Sequence, residues 1–399
     1  MKTVNNKNMK TKTNIIELFE DAKTNQSYVK VCAPMVRYSK VQFRTLVKNF
    51  GVDLCFTPMI LADSFCQNAK ARSNEFVTTM YDSPLVVQFA ANSVDDFLDA
   101  SKLVYPYVDG VDLNCGCPQR WAMKDGYGCA LLSKPELVHN LLRTVRNNFP
   151  QNFTVSVKVR ILQEVKKTIT MCQQLEKCGI DFMTVHGRTP VQKSGEAIDV
   201  ETLKEICDKI TLPIIANGGI KTLDDADQLQ ETLKCGGIMA ASGILNNPAL
   251  FKGNNKTPLS CIKQWIDLKN KNEDKITFQC YHHHLVFMLD KILTKKQKQK
   301  FNHLSTFQSV DQFLNMHVIN DYNYVPPASP IIDDFVTCQF DKEVTDKHSS
   351  KCRGCSKSIH YCTCCNHDYD NNNGSFFTYY VENTDVLDYM DSNMFDECI

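Results

Sequence analysis

The sequence predicts a parallel (β/α)8 TIM barrel followed by a C-terminal helical domain, and three observations carry the prediction. Short apolar runs and amphipathic stretches alternate eight times between residues 28 and 255. Polar or glycine-rich residues recur where the runs stop, the edge that carries the catalytic loops in such barrels. No Gly-x-Gly-x-x-Gly turn follows the first run, which argues against a doubly wound sheet.

The strand-like runs are residues 29–33, 54–57, 85–89, 110–114, 155–159, 182–185, 213–216 and 237–240. Between them, 40–50, 93–104, 136–147, 165–177, 198–209 and 223–233 carry apolar residues at helical spacing. Residues 1–27 form a polar N-terminal extension with one helical patch near 15–22, and are expected to be a mobile lead-in. Residues 28–255 make the barrel. Over 256–323 the strand signal disappears. Thr257 and Pro258 supply a helix cap and a first-turn proline, and 276–292 reads as a helix. A basic turn follows at Lys295, Lys296, Lys298 and Lys300, open to two readings: a solvated helix end or a set of phosphate contacts. Pro326, Pro327 and Pro330 mark a linker, and the Cys-, Asn- and Asp-rich tail 324–399 is expected to be disordered. Within it stand Cys352, Cys355, Cys362, Cys364 and Cys365, with His360 and His367. The step from Cys355 to Cys362 is shorter than in common structural zinc modules and no apolar core supports one, so no metal site is expected.

Composition bounds the function. Acidic and basic residues balance at 45 each in 399 residues, so any nucleic-acid contact must come from local basic patches. The Lys- and Asn-rich start has no apolar core of the kind a signal peptide needs, and no apolar run is long enough to span a bilayer. The 19 cysteines are scattered through strand-like and helix-like segments, which fits reduced thiols. A cytoplasmic protein, present also in the nucleus, is expected, with no membrane and no obligate protein partner.

The stretch from Asp112 to Pro135 holds the reactive chemistry. Gly110 to Leu113 end an apolar strand and Pro118 stops pairing, so Cys117 lies just past a strand's carboxyl end. Gly126 and Gly128 suit a flexible loop that lies close to a ligand or moves over it. Cys115 and Cys117, two residues apart on an extended chain, are expected to share a side. Other strand ends bring Gln88, Lys158, Arg160, His186, Arg188, Asn217, Gly218 and Gly219 to the same mouth. Amides and cations there suit the carbonyls and ring nitrogens of a flavin. Asn217, Gly218, Gly219 and Gly243, with a short helix near 246–251, suit its phosphate.

Asn114-Cys115-Gly116-Cys117-Pro118 resembles the active-site signature of the tRNA-dihydrouridine synthases, and Gln119 to Met123 is similar to the eukaryotic branch acting at tRNA positions 20a and 20b. The resemblance covers about residues 28–320. It implies reduction of the uridine C5=C6 bond with FMN as cofactor and NADPH as reductant, and a helical domain that grips tRNA. It implies FMN held by Pro34, Met35, Gln88, Lys158, His186, Asn217 and Gly218, with Asn114, Arg160 and Arg188 toward flavin or uracil carbonyls. Cys117 takes the proton-donor position, with Cys115 as a second choice. A thiol of ordinary pKa, about 8.5, is mostly protonated at neutral pH and can act as a general acid. The sequence departs from the family at the phosphate loop, where Ala241-Ser242-Gly243 stands in place of a motif carrying arginine. Rival readings are a flavin barrel acting on a free pyrimidine, a tRNA-binding protein without flavin, and a zinc-dependent interaction protein built on the tail.

Overall fold

The computed structural model describes residues 12–271 and 276–319, with the backbone of residues 335–336. Eight parallel strands form a closed ring: β1 (Val29–Cys32), β2 (Leu54–Phe56), β3 (Leu85–Ala90), β4 (Gly110–Cys115), β5 (Thr154–Arg160), β6 (Phe182–His186), β7 (Ile214–Asn217) and β8 (Gly237–Ala240). Closure comes from β1 pairing with both β2 and β8, with Cys32 beside Cys55 on one side and Ala240 on the other, while Cys55 and Phe56 of β2 lie beside Leu85 and Val86 of β3. Every predicted strand is present, with its ends within one residue of the expected ones. β4, β5 and β6 each run one residue further toward the mouth, to Cys115, Arg160 and His186.

Helices cover the ring because each carries one apolar face. Pro135–Asn148 starts on a proline and buries Val138, Leu141, Leu142 and Val145, spaced at one helical face, each contributing roughly 2 kcal/mol by its burial. Ser93, Asp199 and Thr222 cap the helices Val94–Val104, Val200–Lys209 and Leu223–Leu233. Helix Val41–Asn49 is anchored by a buried ion pair. Arg44 meets Asp82 at 2.6 Å and also donates to the carbonyls of Ser39 and Val77. Removing one partner of such a pair strands the other charge in the core, a loss of roughly 3–5 kcal/mol.

The N-terminal extension is not all a mobile lead-in. Ile15–Thr24 is a helix capped by Asn14, with Ile15 and Phe19 buried. The Phe19 ring stands 5.5 Å from that of Phe182, at the start of β6, and beside Gly236, just before β8. The helix therefore packs against the N-terminal end of the barrel. Ten residues are too few to hold a helix alone, and tertiary packing supplies its stability.

The C-terminal helices are Leu259–Lys271, Phe278–Met288, Lys295–Asn302 and Phe307–Leu314. The lysine-rich stretch expected as a turn is thus a helix, closed by a capping box between Thr294 and Gln297. The junction with the barrel is aromatic. His284, fully buried, stacks on Phe43 at 4.5 Å and packs on Trp265 at 4.6 Å, and Trp265 lies parallel to Tyr281. Residues Phe335–Val336 pair antiparallel with Thr78–Thr79. The cysteines and histidines of the tail, Cys352 to His367, lie outside the described residues. Among the described residues no helix is long and apolar enough to cross a membrane.

Burial holds the histidines of this junction neutral. It pushes His284 down to about 3 and His283 to about 4, with neighbouring histidines adding to the shift. The unfolded chain binds these protons from about pH 6.5 downward while the native one does not, so their stabilisation is complete above about pH 6.5 and lost as pH falls toward 4. The urea midpoint is expected to fall steadily between pH 6.5 and 4.5, and more gently in His284→Leu, as equilibrium unfolding followed by fluorescence will register.

Candidate active site

Strand register gathers the site in rows. The lowest row sets Gln88 beside Asp112 and Asp112 beside Ser156. The next sets Asn114 beside Lys158 and Lys158 beside Thr184. The row at the strand ends sets Arg160 beside His186 and His186 beside Asn217. Side chains alternate across a strand, so on β4 Asp112 and Asn114 point inward to bond Gln88. Cys115 points the other way. It is fully buried against the helix layer, lining a cavity of about 280 Å³ with Val138, Val159 and Leu175. Burial drives its thiol far above the ordinary range, with the charge of Asp112 next. Cys115 therefore does not share the side of Cys117, and it cannot substitute for it.

Cys117 is half-buried and its backbone is held from several directions. Its N–H donates to Asn114 Oδ1 at 3.0 Å and its carbonyl accepts from the Cys129 N–H at 2.9 Å. The Arg160 guanidinium donates to the Gly116 carbonyl at 2.9 Å and to that of Thr189 at 3.2 Å, bridging the cysteine loop to the loop after β6. The loop itself folds into a short helix, Arg120–Lys124, and tight turns over Gly128–Ser133. Gly128, at φ +60, lies so close that a Cβ there would stand 2.5 Å from the Cys117 carbonyl oxygen. The glycine expected to give flexibility instead permits close packing. Ala122 and Tyr127 pack with Ala90 in a small apolar cluster against which Trp121 and Cys117 rest.

Facing this loop, Lys158 reaches from β5 with no hydrogen-bond or ion-pair partner among the described residues. Burial lowers it to about 8, the Arg160 charge adding to the shift and Asp112 opposing it. His186 is held well below its usual range by burial and by Lys158, Arg160 and Arg188. Arg188 lies 3.1 Å from His186 Nε2, and a guanidinium only donates, so that nitrogen accepts and the imidazole is neutral with its proton on Nδ1. Arg188 also donates to the Glu196 carbonyl at 2.6 Å. Of the two arginines expected at the substrate, Arg160 thus ties two loops together and Arg188 braces its own loop after β6. Asp112, buried between Gln88 and Ser156, has its carboxyl raised to about 6 by burial.

At the opposite edge Asn217 donates to the Met239 carbonyl at 3.0 Å. Gly218 follows at φ +118, where a Cβ would meet the His186 ring at 2.9 Å, so only glycine lets the chain pass there. Gly219 also has positive φ. Ser242 and Gly243 open the helix Ser242–Asn246, earlier than the helix expected near 246–251. Gly243 is required by packing, since a Cβ would lie 2.2 Å from the Ile220 carbonyl oxygen. After β1, Pro34 is half-buried and Met35 fully buried in a turn closed by Ser39.

A family model described as dihydrouridine synthase matches residues 31–320 of this chain. The chain belongs to this family. It is 46% identical over 303 residues to the mouse (Mus musculus) tRNA-dihydrouridine(20a/20b) synthase [NAD(P)+]-like, covering 76% of this chain and 91% of that protein. The Schizosaccharomyces pombe tRNA-dihydrouridine(20a/20b) synthase [NAD(P)+] is 38% identical over 304 residues, covering 76% of this chain and 92% of the relative. The rat (Rattus norvegicus) tRNA-dihydrouridine(16/17) synthase [NAD(P)(+)]-like is 33% identical, covering 64% of this chain and 60% of that protein. A solved old yellow enzyme homologue from Zymomonas mobilis aligns with a TM-score of 0.41 at 11% identity, covering 57% of this chain and 88% of its own.

For a dihydrouridine synthase, sequence reasoning found the residues that face the mouth and missed those behind them. Asp112 and Ser156 carried no expected role, although a carboxylate inside an apolar strand signals a buried partner. Gly128→Ala puts a side chain into the Cys117 carbonyl at positive φ. It is expected to cost at least about 1–3 kcal/mol of stability in urea titrations and to lower tRNA turnover more than flavin reduction.

Proposed function

We propose that this chain reduces the C5=C6 bond of uridines 20a and 20b in the D-loop of tRNA, with FMN as cofactor, NADPH as reductant and Cys117 as the proton donor. One observation carries the reading. A half-buried thiol is fixed by its backbone over a barrel mouth that presents, from neighbouring strands, a lysine without a partner among the described residues, a neutral histidine and two buried amides. The family supports the reaction, and the names of the mouse and fission-yeast relatives support the two positions and the nicotinamide reductant.

The residues fit a flavin on their own chemistry. Lys158 is a cation without a partner among the described residues, suited to an electron-rich carbonyl or ring nitrogen. Gln88 and Asn114 each use one amide N–H inside the protein and have one left over. Gly218 leaves room beside His186. Pro34 and Met35 would border the ring system, and Asn217, Gly218, Gly219, Ser242 and Gly243 would take the phosphate end. Held there and reduced, FMN would supply the hydride that uracil C6 needs.

The rest falls to the chain. The target base leaves its stack to enter the mouth, as bases do for enzymes that act on them. The Cys117 thiol gives its proton to C5. The Lys158 ammonium, charged below about pH 8, and the neutral His186 ring orient carbonyls of the ligands. Arg160 holds the two loops together beside them, and Arg188 braces the loop after β6. The exposed Lys295, Lys296 and Lys300 would meet phosphates of the tRNA backbone.

Cys117→Ala is expected to bleach the flavin with NADPH as the native protein does while forming no dihydrouridine in tRNA, counted as the two-dalton gain of uridine by mass spectrometry. Normal product formation would end the assignment. Exchanging Lys295, Lys296 and Lys300 for Glu is expected to weaken tRNA binding and flatten its dependence on log salt by about one unit for each phosphate no longer neutralised; an unchanged slope would return these lysines to the solvent.

A further inference from the structure

Four polar side chains inside the barrel, Ser156, Asp112, Gln88 and Asn114, form one directed chain of hydrogen bonds, and its far end is the backbone of the cysteine loop. An ionised carboxylate only accepts. Asp112, completely buried, accepts from Ser156 Oγ at 2.7 Å and from Gln88 Nε2 at 2.8 Å. That orients Gln88, whose Oε1 faces Asn114 and accepts from its Nδ2 at 2.7 Å. Asn114 is oriented in turn. Its Oδ1 is left to accept the N–H groups of Gly116 and Cys117, each at 3.0 Å. Reversing either amide would set donor against donor, or acceptor against acceptor, at the next link.

We infer that Asp112 is a positioning residue for the reaction: acting through Gln88 and Asn114, it fixes the backbone at Cys117 and so the place of the thiol over the barrel mouth. The inference rests on the reading of Cys117 as proton donor. Packing alone does not account for a carboxylate here, because a leucine of similar volume would fill the space without the cost of desolvating a charge. The anchor belongs to the barrel wall. Gln88 and Ser156 stand beside Asp112 in register on β3 and β5, so the loop inherits its position from three strands. Lys158, on β5, is the cation that favours the ionised carboxyl. Arg160 bonded to the Gly116 carbonyl gives the loop a second hold, independent of the chain.

Amide hydrogen exchange in the flavin-loaded full chain tests this, read on peptides that resolve Gly116 and Cys117 from the rest of β4. Asp112→Leu is expected to speed exchange at these two amides by about tenfold or more. It should also lower the maximal rate of tRNA reduction by about tenfold or more, leaving the KM for tRNA and the rate of flavin reduction by NADPH within about twofold. Asp112→Asn, whose Oδ1 still accepts from Gln88, should restore exchange and rate to within about threefold of native. Asp112→Ser, smaller and with a hydroxyl that imposes no direction, serves where the leucine variant does not fold and should loosen the same two amides. Unchanged exchange at Gly116 and Cys117, faster exchange along all of β4, or failure of Asp112→Asn to rescue would overturn the inference. If the two amides loosen but Cys117→Ala forms dihydrouridine normally, the proton-donor reading has failed, and Asp112 holds a loop without serving the reaction.

Discussion

Everything at the mouth depends on the closed register of the parallel ring. Because β1 bonds both β2 and β8, no strand can slide by a residue without breaking the closure. A slip of one would also turn each inward side chain outward. The rows Gln88–Asp112–Ser156, Asn114–Lys158–Thr184 and Arg160–His186–Asn217 are consequences of that lock. They stack polar groups at increasing height. The lowest row is satisfied internally but for one amide hydrogen of Gln88, the middle offers a cation and the spare amide hydrogen of Asn114, and Arg160 in the top row braces the loops.

Rigidity of the cysteine loop follows from this layering. Loops over barrel mouths are often mobile, but here a short helix, a glycine packed against a carbonyl and hydrogen bonds from both flanking strands leave Cys117 few alternatives. Preorganisation of this kind lowers the entropy lost when a reacting atom must be met at the correct place. It also divides labour between the arginines and the lysine. Arg160 and Arg188, with their several fixed donors, suit bracing, whereas the ammonium of Lys158 stays available to a ligand.

The fold was almost wholly legible in the sequence, since eight apolar runs with intervening helical periods leave few architectures. The residues on the mouth were legible too, because polar groups at strand ends stand out from apolar neighbours. The parity of β4 was also available: Asp112 and Asn114 facing inward put Cys115 outward. What escaped was contact between residues distant in sequence. Nothing near Gly128 announces that it touches the Cys117 carbonyl, and nothing near Arg160 that its guanidinium reaches Gly116. The helical patch near 15–22 was legible, but its docking on the barrel escaped for a related reason, since that rests on Phe19 meeting Phe182.

The burial of the thiols has a chemical consequence. Cys66, Cys115, Cys129, Cys172, Cys178, Cys207, Cys235, Cys261 and Cys280 all have their thiols driven upward chiefly by desolvation. Cys32 and Cys55 are free thiols whose shared hydrogen bond raises Cys32 and lowers Cys55, and both are fully buried, out of reach of solutes. Thiolates are the species that electrophiles and oxidants attack. A protein core holding so many sulfurs is therefore chemically quiet, and Cys117, half-buried at the mouth, is where a small electrophile entering the site would leave its mark.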